Sequence, residues 1–128
     1  MPSGTDISGR CYAFALRIIN AYKYLCAKQS EHVLSKQLLR SGTAIGALVC
    51  EAKFAQSRAD FINKMSIALK EANETIYWIN LLHDSGYFQD KVYLSVHDEA
   101  DEITAILASI VKSTKANTLK YGSKVSDT

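Results

Sequence analysis

Glu71 and Glu74 stand three residues apart, and His83 and His97 follow further along the chain. On a helix that spacing stacks the two carboxylates on one face. Carboxylates and histidines so placed are the ligands with which helical bundles hold paired iron or manganese ions. That site requires a Glu-x-x-His pair on each of two helices. The sequence has none, because Asn80 stands three before His83 and Leu94 three before His97. No metal and no cofactor is therefore expected. His32, His83 and His97 fall near helix ends or in polar stretches and read as surface or capping groups.

The three cysteines, Cys11, Cys26 and Cys50, have no metal-like spacing and include no Cys-x-x-Cys. Their apolar neighbours make them read as buried free thiols of a reducing compartment. Neither of the glycine-rich phosphate loops, GxxxxGK followed by Ser or Thr and GxGxxG, is present, nor is a Gly-x-Ser-x-Gly elbow. With no catalytic constellation, the expectation is that the protein is not an enzyme.

The elements that would carry these residues are helices. Ile7, Cys11, Phe14, Ile18, Ala21 and Leu25 step by four and three, the spacing of one helix stripe, and predict a helix over about 7–27. Leu34, Leu38, Ser41, Ile45, Leu48, Ala52 and Ala55 repeat the steps over 31–55. Phe61, Met65, Ala68, Ala72, Thr75, Ile79 and Leu82 do so over 58–84. Val96, Ala100, Ile103, Leu107 and Ile110 complete the set over 89–115, and the polar tail 117–128 is expected to fray. Asp6 and Ser30 suit the starts of the first two helices. Ser57 with Asp60 resembles a capping box at the third, and Gly86 suits the residue that ends it. Short connections between long helices force antiparallel neighbours. The predicted fold is all-α, a single up-down-up-down four-helix bundle.

Composition agrees. The 128 residues include a single proline, Pro2, so nothing interrupts long helices, and six glycines are few for an all-β domain. Hydrophobic residues at 48% and charged residues at 22% suit a globular chain and argue against disorder throughout. The longest apolar run, around Ala44 to Cys50, is far too short to span a bilayer, and no basic segment leads into an apolar one at the start. A cytoplasmic location without membrane contact is the expectation. Up to Cys50 there are six Lys or Arg against two Asp or Glu; from Glu51 onward there are nine against eleven. Arg10, Arg17, Lys23, Lys28, Lys36 and Arg40 are thus the candidate phosphate contacts.

Gly42 and Gly46 lie one turn apart inside the second helix, and each costs roughly 1 kcal/mol relative to alanine. A compensating close contact is expected, with the third helix around Ala68 and Ala72 as the candidate partner. That helix also carries Ile62, Leu69 and Ile76 beside its core stripe, with Tyr77 and Trp78 at the edge. A stripe wider than one core needs suggests a subunit interface.

Two stretches are more specific. Leu38 to Ala52 (LLRSGTAIGALVCEA) and Ala59 to Thr75 (ADFINKMSIALKEANET), extended by Tyr77-Trp78 and Leu81-Leu82, resemble the signatures of a bacterial "four helix bundle protein" family. Its members were first noticed as proteins encoded in intervening sequences of 23S rRNA genes. The accessory variability protein of diversity-generating retroelements looks related. The similarity runs from about Ile7 to Lys112. It implies a homo-oligomer, a pentameric ring, with a non-enzymatic role in binding RNA, DNA or a nucleic-acid enzyme. Arg40, Glu51, Lys70, Glu71 and Glu74 match its recurring polar positions. Where the family usually has Ser, Asn and Glu, this chain has Ala44, Leu48 and Ile76, which favours a buried contact over a polar reading surface. A protein-interaction scaffold with no nucleic-acid contact is the alternative.

Overall fold

Asp6 is extended and its carboxylate accepts the Gly9 N–H at 2.5 Å, which starts the first helix as expected. The computed structural model describes residues 6–119. They form α1 (Ile7–Gln29), α2 (Leu34–Ala52), α3 (Arg58–Asp84) and α4 (Asp90–Asn117). Each helix packs on the next, and α4 returns to α1 over a shorter stretch. This is an all-α, antiparallel four-helix bundle. The expected tail beyond Leu119 lies outside the described residues.

Helix ends follow the supply of partners for orphan backbone groups. The Ser57 hydroxyl accepts the Asp60 N–H at 3.0 Å, and the Asp60 carboxylate reaches back to the Gln56 N–H at 3.3 Å. At Gly86, φ is +89°, and the Gly86 and Tyr87 N–H groups close on the His83 and Leu82 carbonyls. This is the paired C-terminal motif that a glycine permits.

The start of α2 departs from expectation. Ser30 does not cap it; Ser30 adopts a left-handed conformation (φ 52°) and closes α1. The buried Glu31 carboxylate supplies the cap instead. It accepts the N–H groups of Val33 (3.2 Å), Leu34 (3.0 Å) and Ser35 (2.7 Å), while the Ser35 hydroxyl donates to the Glu31 carbonyl. Burial alone pushes the Glu31 carboxyl up, but these hydrogen bonds outweigh it and hold it below its usual value of 4.5. At the far end α2 stops at Ala52 rather than Ala55. The N–H groups of Phe54 and Ala55 turn back three residues, to the Glu51 and Ala52 carbonyls.

The core follows the predicted stripes. Phe14, Ile18, Leu25, Leu38, Ile79, Leu82, Ile103 and Leu107 are completely buried. Each contributes about 1.5–3 kcal/mol of apolar burial. Two stripes rotate slightly: Val49 is buried in place of Leu48, and Val111 in place of Ile110. Phe88, from the α3–α4 turn, joins the core as well.

Gly42 and Gly46 make their close contact with α1, not with Ala68 and Ala72 of α3. A Cβ on Gly42 would lie 2.8 Å and 2.9 Å from the γ carbons of the fully buried Ile18. At Gly46 the nearest atom would be the Cys11 Cβ at 3.4 Å, an ordinary contact. The glycines sit on the lateral side of α2 that faces α1, whereas α3 lies on the opposite side, beyond Arg40 and Leu48. α3 has neighbours on both sides, which explains its wide stripe. Leu69, Ile76 and Trp78 are half-buried against the core of this same protomer. Ile76 lies one turn before Asn80, which bonds α4 through Tyr93. Ile62 is half-buried, and Ile67 and Tyr77 remain exposed.

Three outcomes follow. Gly42→Ala should lose about 1–3 kcal/mol in urea denaturation, the cost of forcing an atom into a packed core. Gly46→Ala should be neutral or gain up to about 1 kcal/mol, since an alanine fits there and favours helix. Glu31→Ala should cost about 1–2 kcal/mol. Because Glu31 has a depressed folded-state pKa, its stabilisation is present above 4.5 and disappears as pH falls through the lower folded value. The variant's stability should therefore fall less than the wild type's as an acid titration passes from 4.5 down to that lower value.

Candidate nucleic-acid interface

The six candidate cations divide by residue type. Arg10 of α1 pairs with Glu102 of α4 at 2.5 Å. Arg17 pairs with Glu99 at 2.5 Å and donates to the Ser95 hydroxyl at 2.8 Å. Arg40 of α2 bridges Glu71, at 3.2 Å, and Glu74 of α3. The arginines therefore join helices, and a guanidinium fork suits that work. Lys23, Lys28 and Lys36 are exposed and enter no ion pair among the described residues. All three lie toward one end of the bundle, where α1 finishes and α2 begins. The Cys11–Gly46 and Ile18–Gly42 contacts set the antiparallel register that brings Lys23 level with Lys36 across the α1–α2 seam.

The Arg40 cluster is a clasp. The Trp78 indole donates to Glu74 at 3.1 Å, and one level inward the Thr75 hydroxyl donates to the buried Ser41 hydroxyl at 3.0 Å. Hydrogen bonds from Trp78 and Arg40 hold the Glu74 carboxyl below the usual range against the effect of burial. The Oε1 atom of Glu71 is buried without a hydrogen-bond partner among the described residues. Of the other matched polar positions, Glu51 pairs with Lys64 at 3.3 Å and Lys70 is exposed. Ala44, Leu48 and Ile76, the apolar departures from the resembled pattern, are each half-buried, and Leu48 and Ile76 pack on the core.

The same end carries a groove of about 370 Å³ between α1 and α4, which the sequence reading missed. Ala21, Phe88 and Val96 form its floor; Arg17, Asn20, Tyr24, Gln89 and Val92 form its rim. Its residues come from opposite ends of the chain, so no local spacing announces them. The one available signal was Phe88, a large aromatic in a turn. A smaller hollow of about 220 Å³ runs along the α1–α2 seam beside Tyr12, Gly46 and Cys50.

His32 is exposed, and His97 is half-buried beside Tyr93. His83 bonds Asp90 at 2.7 Å, stacks on Tyr93 with ring centroids 3.8 Å apart, and so ties the end of α3 to the start of α4. The Asp90 hydrogen bond raises the His83 pKa above its usual 6.5, partial burial opposing. Among the described residues no three metal-ligating side chains converge. The cysteines are not uniformly buried. Cys11 is, and burial pushes its thiol up to about 12; Cys26 is half-buried and Cys50 is exposed on the outside of α2. No described helix is long and apolar enough to cross a membrane.

Fold and surface together define an all-α four-helix bundle with three exposed lysines toward one end. The family model of the 23S rRNA-intervening sequence proteins matches residues 5–109, and the chain belongs to that family. It is similar to the crystal structure of a protein of unknown function from the S23 ribosomal protein family of Bacteroides thetaiotaomicron. The two superpose with a TM-score of 0.83 at 52% identity, over 84% of this chain and 99% of the other. No curated protein matches.

The clasp yields a test. Thr75→Val and Ser41→Ala should each cost about 1–2 kcal/mol, because each disrupts a buried hydroxyl pair. The double variant should cost less than the two combined, a coupling read from a double-mutant cycle of denaturation free energies.

Proposed function

We propose that this protein is a non-enzymatic homo-oligomer, in the pentameric form that the resemblance implies, that binds RNA or DNA through the lysine-bearing end of its bundle. The observation that carries this reading is the division of the cations. Every candidate arginine is held by a carboxylate of its own chain, whereas Lys23, Lys28 and Lys36, at one end, enter no ion pair among the described residues. A phosphate backbone would meet those lysines without displacing an internal ion pair. Repetition in an oligomer would multiply the few charges of one protomer. Tyr12, Leu16 and Tyr77, all about half exposed, supply apolar surface for contacts between copies.

A scaffold that binds only protein is the second reading, favoured by the same exposed apolar residues and by the small formal net charge of +2.

Light scattering should give a mass five times that of one chain; a monomer would overturn the assembly. Retardation of RNA or DNA should weaken steeply with salt. For a single strand, Lys23→Gln and Lys36→Gln should each flatten the slope of log affinity against log salt by about 0.7. Absence of retardation at micromolar protein and low salt would favour the scaffold.

A further inference from the structure

We propose that the α1–α4 groove receives one unstacked base of a single-stranded RNA or DNA, an inference that rests on the nucleic-acid reading above. Three features of the groove converge. Its volume, about 370 Å³, lies in the range of small-ligand sites and accommodates a planar base with part of its sugar. Its surface pairs an apolar floor with an aromatic rim. Phe88 and Val96 are buried beneath, and the Tyr24 ring stands at the edge with its hydroxyl accepting a hydrogen bond from Gln29 at 2.7 Å. A base can lie on such a surface, and stacking of this kind tolerates any base.

The rim also carries two carboxamides, Asn20 on α1 and Gln89 at the start of α4. Neither side chain makes a hydrogen bond among the described residues. Each offers a donor and an acceptor side by side, the pattern with which Asn and Gln meet base edges. A purely apolar occupant would strip water from these amides and return nothing. An unstacked base supplies both a flat apolar face and polar edges.

The charges agree with that orientation. Arg17 is held by Glu99 and Ser95, so it closes one end of the groove without offering a free charge. Lys28 lies one turn beyond Tyr24 on α1, and Lys23 and Lys36 extend the cationic surface toward α2. The exposed carboxylates of this end, Asp84 and Asp90, gather about His83 on the α3–α4 side. A strand could therefore seat a base between α1 and α4 while its phosphates run over the lysines. A duplex keeps its bases stacked and paired and cannot do this.

The test is fluorescence anisotropy with labelled single strands of about 12 nucleotides, as RNA and as DNA, beside the matching duplex and an abasic strand. The single strand should bind at least about 10-fold more tightly than the duplex or the abasic strand. Preference for the RNA or the DNA strand identifies the source of the base. Val92→Trp fills the groove from an exposed rim position and should remove that preference. Asn20→Ala with Gln89→Ala should weaken it, and serves should the tryptophan variant fold poorly by its melting curve. Lys23→Gln should weaken every nucleic acid alike.

Equal binding of all strands, or indifference to the groove variants, would overturn the base pocket and leave nucleic-acid binding standing. A change in oligomer mass on Val92→Trp with no change in base discrimination would assign the groove to a contact between copies, and the base pocket would be wrong. Failure of every nucleic acid to bind would remove the broader reading and this one with it.

Discussion

The seam between α1 and α2 permits one arrangement because position 42 lacks a side chain. Ile18 occupies the space that a Cβ there would need, and Ile18 is itself sealed on every side. Packed interiors do not yield to an extra carbon at low cost. The contact therefore fixes how far α1 slides along α2, and that register decides which surface residues meet. Lys23 reaches the level of Lys36 for this reason, although neither takes any part in the packing.

The other seams are held differently. Between α2 and α3 the Ser41–Thr75 hydroxyl pair lies inside and the Arg40 clasp outside. Arg40 is half exposed, so its ion pairs contribute modestly, within about 1 kcal/mol each, and serve more to select the register than to hold the helices together. The α1–α4 seam relies on Arg10 and Arg17 in its lower part. From Arg17 toward the end of α1 the groove lies between the two helices. The groove and the exposed lysines thus share one end of the molecule. This coincidence makes that end the natural place to look for a ligand.

The width of the α3 stripe carries two meanings that only packing separates. Leu69, Ile76 and Trp78 looked like surplus apolar surface when one core line was assumed. A helix with two neighbours needs a broader apolar arc than a two-helix seam, and these residues fill it. Exposed apolar side chains lie elsewhere: Tyr12 and Leu16 on α1, Ile67 and Tyr77 on α3, Val92 and Leu94 on α4, and Val33 and Phe54 beside the ends of α2.

Local pattern settled much of the architecture. The alternation of three and four in Cys11, Phe14, Ile18 and Leu25 names the buried face because a helix turns by the same angle at every residue. Asp6, Ser57 and Gly86 announced helix ends because a cap acts on backbone groups only a few residues away. The start of α2 was misread for a related reason: Ser30 and Glu31 both have capping chemistry, and the left-handed turn at Ser30 chose between them. Which partner Gly42 touches, which cations are already neutralised, and where a groove opens are different matters. Ile18 and Gly42, Arg17 and Glu99, Tyr24 and Phe88 are brought together by packing across dozens of residues of chain, and no period in the sequence encodes such distances. The sequence alone determined four amphipathic helices in antiparallel order; the tertiary structure alone decided which charges remain free to act, because a charge is free only when no distant carboxylate has been folded against it.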